Sequence, residues 1–246
     1  MATLTIPCVQ PWSAPTIRDL RDRVHVIVGT ERDVREYDLS ADALKERSGE
    51  FRKKLSGGHH GARRRPRIEL PDENPAVFDA FATWLSRGTV GQGNNSYLRL
   101  CHLYTFTMRH DVPLMRNTVI DAFLAAIYRS ETMPYDVTKY LEHEARDSAL
   151  RNMIIDVILP CGNKEKVDEW EVSLAKGFFQ IGFHAPVPLV PFEMEGDVRG
   201  FIEQQMKDHV CDRYHEHPSG NQLARSDHFF ADPPPQGQGG EGFTRL

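Results

Sequence analysis

RIELPDENPAVFDAFATWLSRGTV, residues 67–90, holds a strand, a sharp stop and an amphipathic helix in one stretch. Arg67-Ile68-Glu69-Leu70 alternates polar and apolar, as a half-buried strand does. Pro71-Asp72-Glu73-Asn74-Pro75 then ends it. Pro75 stands where a helix opens, because a first-turn residue has no intrahelical use for the N–H that proline lacks. Phe78, Phe81, Ala82 and Leu85 follow at helical spacing on one face, with Trp84 beside them. Gly88 closes the helix.

Toward the N-terminus, Val24, Val26 and Val28 alternate with His25 and Ile27 and stop at Gly29. After the polar turn 29–33, residues 34–39 read as a second strand with Tyr37 and Leu39 facing in, and the two make a hairpin. Ser40 is placed to cap a short helix over 42–47, and Ser48 a second over 50–55. Toward the C-terminus, Tyr97, Leu100, Cys101, Tyr104 and Met108 share one helical face. Pro113 opens another helix, bearing Ile120, Phe123, Leu124 and Ile127. The spacing predicts strands 24–28, 34–39 and 67–70 in one sheet, packed on helices 75–86, 97–109 and 113–129. Phe81, Trp84, Tyr104 and Ile120 are expected in the core.

Beyond Pro134 the pattern weakens. Helices are expected near 135–145, 147–159, 164–175 and 195–211, with a proline-interrupted stretch at 184–191. Residues 1–21 carry Pro7, Pro11 and Pro15, which predicts a flexible, loosely attached arm with room for one short strand around Leu4 and Ile6. Residues 218–246 end in a Pro/Gly-rich run from Ala231 and are expected to be disordered. The organisation expected is an arm (1–21), an α+β domain (22–130), a helical extension (131–217) and a tail (218–246).

At 246 residues and 40% hydrophobic, the chain is long enough to bury its own core and too apolar to be wholly disordered. A net charge of −5 provides no global attraction for nucleic acid. Cys8, Cys101, Cys161 and Cys211 contain no CxxC pair, which excludes a zinc ribbon and a thioredoxin-like motif. The first dozen residues lack the basic and apolar regions of a signal peptide, and no apolar run is long enough to span a bilayer. A reducing location, cytoplasmic and/or nuclear, is expected, and no membrane partner.

Two clusters invite chemistry. Cys211, His215 and His217 have metal-ligand character, but zinc takes four N or S donors. Asp208, His209 or Cys161 would have to supply the fourth, none at a recognisable spacing, so no metal and no cofactor is expected. Arg52, Lys53, Lys54, Arg63, Arg64, Arg65 and Arg67 place seven cations in residues 52–67 with no acid among them. Arg63, Arg64, Arg65 and Arg67 are the candidates for an acidic-partner or nuclear-import patch. Base readout needs a groove-entering helix or stacking aromatics, which this loop lacks, so nucleic acid is the lesser expectation. No nucleophile elbow, P-loop, dinucleotide fingerprint or metalloprotease motif occurs. No catalytic residue is assigned, and the chain is not expected to be an enzyme.

The ordered set VHVIVG (24–29), YDLSADALKERSGEF (37–51), residues 67–90 as quoted, and LYTFTMRHDVPLMRNTVIDAFLAAIYRS (103–130) resembles a BTB/POZ domain of the fungal type. Residues 131–217, ending in Cys-x-x-Tyr-His-x-His, resemble the helical extension of such proteins. The resemblance implies an α+β fold, a small sheet packed against a helical cluster, with a C-terminal α-helical extension. It implies a non-enzymatic protein–protein interaction module, an adaptor or scaffold subunit, with protein partners that include a second copy or a cullin. No kelch, zinc-finger or MATH module flanks the domain. The alternative is a nuclear, nucleic-acid-associated regulatory protein acting through the basic loop 52–67. Where relatives carry an aspartate before the first strand and a histidine–base pair after the second, this chain has Arg23 and Ser40-Ala41. An unpaired guanidinium buried at a subunit contact costs several kcal/mol, so homodimerisation is expected to be weak.

Overall fold

The computed structural model describes residues 4–8, 11–18, 22–30, 32–56, 65–90, 96–137, 140, 148–162 and 197–217. The sheet is built on β1 (Arg23–Val28), whose Val24, Val26 and Val28 are fully buried on one face. Branched side chains at every second position favour extended backbone and pack well on a pleated surface. β2 (Arg35–Ser40) runs antiparallel to β1, with Val26 opposite Tyr37. β3 (Arg67–Leu70) runs parallel to β1, with Val26 opposite Ile68 and Val28 opposite Leu70. The order β2-β1-β3 therefore puts β1, with its buried valine face, in the centre. The β1–β2 turn rests on Gly29 at φ 90°, where a Cβ would lie 2.1 Å from the Asp33 carbonyl oxygen, so only glycine fits.

A parallel neighbour needs a crossover, and α1 (Ala41–Arg47) and α2 (Gly49–Ser56) stand between β2 and β3 in sequence. Ser40 caps α1 by accepting from the Ala43 amide at 3.3 Å. Ser48, fully buried between the two helices, accepts from the Phe51 amide at 3.0 Å and donates to the His110 carbonyl at 2.5 Å. One hydroxyl thus caps α2 and ties it to the end of a distant helix.

α3 (Pro75–Arg87) begins as expected, with Pro75 in its first turn and Asn74 accepting from the Ala76 amide at 2.8 Å. It ends on Gly88 at φ 71°. The Trp12 ring lies where a Gly88 Cβ would point, 2.4 Å away, so the same glycine serves the turn and the close approach of the arm. α4 (Tyr97–Arg109) and α5 (Pro113–Ser130) complete the cluster. Phe81, Trp84, Tyr104 and Ile120 are all buried, at 1% exposure or less. Trp84 Nε1 donates to Thr118 Oγ1 at 3.0 Å, which satisfies the one polar atom that ring brings inside.

The arm's described residues, 4–8 and 11–18, contain no strand. They are held by side chains instead of by pairing. Ser13 O accepts from Arg47 Nη2 at 2.5 Å, and the Thr16 and Arg18 amides donate to Glu46 and Asp42 at 2.9 and 2.8 Å. The proline-rich sequence, read as a loosely attached arm, is in its described part tied to α1.

After α5 come a 3-10 turn (Tyr135–Val137) and α6 (Ala149–Cys161). The predicted final helix is broken into α7 (Val198–Phe201), a π-helical turn (Ile202–Met206) and α8 (Val210–Tyr214). Lys207 N donates to Ile202 O at 2.9 Å, five residues back, and this inserts the extra residue that ends the α-helical run. Leu150, Met153, Ile154, Val157 and Ile158 of α6 join the same buried cluster as the sheet and α3–α5. Met1–Glu216 is one compact unit; of the second, His217–Leu246, His217 is the described residue. The expected helix 164–175, the stretch 184–191, residues 141–147 and the tail 218–246 lie outside the described residues. Among the described residues the architecture is α+β, a small sheet with about eight helices. Among the described residues, no helix is long and apolar enough to cross a membrane.

Candidate functional site

His215 and Glu216 are seated on α5. Asn117, 5% exposed, clamps the backbone of Glu216: its Nδ2 donates to the carbonyl and its Oδ1 accepts from the amide, both at 2.8 Å. Arg116 Nη1 pairs with the Glu216 carboxylate at 2.7 Å. His215 Nε2, on a ring with no exposed side-chain surface, lies 2.9 Å from Asp121 Oδ1. Residues 116, 117 and 121 sit one turn apart or adjacent on a helix, so α5 offers one continuous polar edge to this segment. From the other side, the Tyr214 hydroxyl donates to Asp156 of α6. Burial raises the Asp156 carboxyl above its ordinary range, against the opposing hydrogen bond from Tyr214 and charge of Arg213.

This seating gathers ligand-type atoms. Cys211 Sγ lies 3.8 Å from Cys8 Sγ, across 203 residues of sequence. One ligand atom from each of Cys8, Cys211, His215 and His217 lies within 4.8 Å of all the others. The fourth group is therefore Cys8, not Asp208, His209 or Cys161. Cys161 is elsewhere, its thiol pushed up to about 12 by burial and by the charge of Asp197. None of the four cysteines, all described, is in a disulfide. Replacing Asn117 by Ala should cost about 1–3 kcal/mol, because it removes two part-buried hydrogen bonds worth about 0.5–1.5 kcal/mol each. Hydrogen exchange should show the Glu216 amide opening while the β1 amides stay protected.

At the start of β1, the expected unpaired guanidinium is corrected. Arg23 Nη2 donates to the Asp38 carbonyl, and Nε lies 3.6 Å from the Asp38 carboxylate. Strand register explains it: Arg23 is opposite Ser40 and His25 opposite Asp38, so Asp38 is the diagonal neighbour of Arg23. Asp22 turns instead to Lys45, at 3.5 Å. Paired with Asp38, Arg23 is not an uncompensated charge at that position.

The basic run is also less bare than its sequence. Arg63 and Arg64 lie outside the described residues. Arg65 is 3.4 Å from Asp38 and Arg67 2.7 Å from Glu69. Lys53 and Lys54 approach Glu50 at 3.9 and 4.0 Å, and Arg52 donates to the carbonyls of Lys45 and Glu46 at 2.8 and 3.3 Å. Glu50 and Glu69 come from just outside the window 52–67, and Asp38 from β2. Such exposed pairs add little stability, about 0–1 kcal/mol each, but they lower the net field the patch presents.

The chain matches no protein-family model and no curated protein.

Proposed function

We propose that the chain is a protein–protein interaction module of the BTB/POZ type, without catalytic activity, serving as an adaptor or scaffold subunit in the cytoplasm or nucleus. The observation that carries the reading is the order β1-β2-α1-α2-β3-α3-α4-α5, with β3 parallel to β1. It is the order that the sequence resemblance over 22–130 implies. The mechanism is equilibrium association through a preformed surface, so partners gain affinity without the cost of ordering this core. A second copy of the chain and a cullin are the partner classes the resemblance implies, and the pairing of Arg23 with Asp38 removes one electrostatic obstacle to the first.

Purification of the full chain with its native partners, at low and at high salt, tests the proposal. The expected result is a protein complex of definite stoichiometry that survives high salt. Binding that needs only arbitrary duplex DNA and falls steeply with salt would replace this reading with a nucleic-acid one acting through residues 52–67.

A further inference from the structure

From the cluster beneath α5 we infer that this protein binds one structural zinc ion through Cys8, Cys211, His215 and His217, an inference independent of the interaction proposal. It reverses the expectation drawn from Cys211, His215 and His217 alone, which lacked a fourth donor.

Four observations converge. First, the donor set is two thiols and two imidazoles, one of the standard sets of a closed tetrahedral zinc site. Second, the sulfurs are 3.8 Å apart. Two thiolates at about 2.3 Å from one tetrahedral zinc are separated by about 3.8 Å. A disulfide would bring them to about 2.05 Å. Third, the atoms from all the ligands lie within 4.8 Å of one another, a spread that one ion can draw in. Fourth, His215 Nε2 is held by Asp121 at 2.9 Å. A carboxylate accepting from Nε2–H leaves Nδ1 as the basic nitrogen for a metal and fixes the ring's direction, the arrangement that orients zinc-bound histidines.

The chemistry balances. Zn²⁺ binds two thiolates and two neutral imidazoles, and two thiol protons leave to solvent. The resulting centre carries no net charge, which suits a place where Cys211 and His215 are each only 7% exposed. With every position taken by protein, the ion has no open coordination site, so its role is to fasten the arm to the C-terminal phrase. The ion would cross-link a loop spanning nearly all of the folded chain.

The test starts with the unaltered full chain, purified without chelator under reducing conditions. Elemental analysis should find close to one zinc per chain. Cobalt exchanged into the site should show the strong visible bands of tetrahedral thiolate coordination. Cys8→Ser lies outside the sheet and helices, so it should fold, as circular dichroism can verify, yet lose the metal. Cys161→Ser should keep it. Asp121→Asn should weaken zinc affinity about 10–100-fold, as loss of a ligand-orienting carboxylate does. Less than a tenth of an equivalent of zinc in the unaltered chain, even after dialysis against a zinc buffer, would overturn the inference. So would zinc retained in folded Cys8→Ser, or a Cys8–Cys211 disulfide found by mass in the reduced preparation.

Discussion

Phe81→Ala should lower the free energy of unfolding by about 3–5 kcal/mol, the cost of emptying a packed aromatic site. Phe81 has no exposed surface. Its ring centroid is 5.2 Å from that of Phe106, 5.4 Å from Phe78, 5.7 Å from Phe51 and 6.3 Å from Trp84. These rings come from α2, α3 and α4, so the cavity would open where three elements meet and could not be closed by moving one of them. Aromatic pairs at these distances add to the area term. Against a total stability of about 5–15 kcal/mol, the loss should shift the urea midpoint strongly while leaving the slope unchanged. Phe81→Leu should lose less, because it refills part of the volume. A Phe81→Ala midpoint within about 0.5 kcal/mol of the parent, the range of surface substitutions, would show that this ring is not the centre of the core.

Local pattern carried the elements whose stability is local. β1, β3 and α3–α5 are legible because a period of two or of 3.6 in apolar residues is the direct mark of one buried face. Pro75, Gly88 and Pro113 bound those helices by backbone chemistry that needs no partner. What could not be read depends on residues far apart in sequence. Asp38 meets Arg23 through strand register and Arg65 across 27 residues of sequence. The break at 202–206 was hidden for a different reason. Val198, Phe201, Ile202, Met206 and Val210 keep an apolar spacing of three or four, which a single helix would also show, while the π-helical turn absorbs one residue without moving the buried face. Cys8 is the extreme case: it stands in a proline-rich arm with no period, and only tertiary structure brings it 3.8 Å from Cys211. A metal-like triplet short of one ligand was the available signal, and it pointed to a missing partner without saying where.

Glu73→Ala should cost about 1–3 kcal/mol at neutral pH, because it leaves the buried His110 ring nitrogen without its hydrogen-bond partner, and the loss should depend on acidity. The Glu73 side chain is 9% exposed in the turn between β3 and α3. Its Oε1 accepts from His110 Nε2 at 2.8 Å, and its Oε2 from Arg109 Nη2 at 2.8 Å. The His110 ring is itself stacked on Phe51, with centroids 5.3 Å apart. Burial alone would raise the Glu73 carboxyl. The hydrogen bonds from His110 and Arg109, with their charges, outweigh it and hold the group below its ordinary value. A carboxyl whose folded value is depressed adds stability that is complete above its unfolded value and is lost as pH falls through the folded one. The unaltered chain should therefore weaken in acid across the window just below the usual carboxylate range. Glu73→Gln keeps the shape and part of the hydrogen bonding but removes the charge. It should start less stable at pH 7 and lose less on acidification, so the two urea-derived curves converge at low pH. Parallel curves, a constant gap from neutral to acid, would mean that Glu73 acts only as a packed acceptor and that its ionised form does not hold α3 to the end of α4.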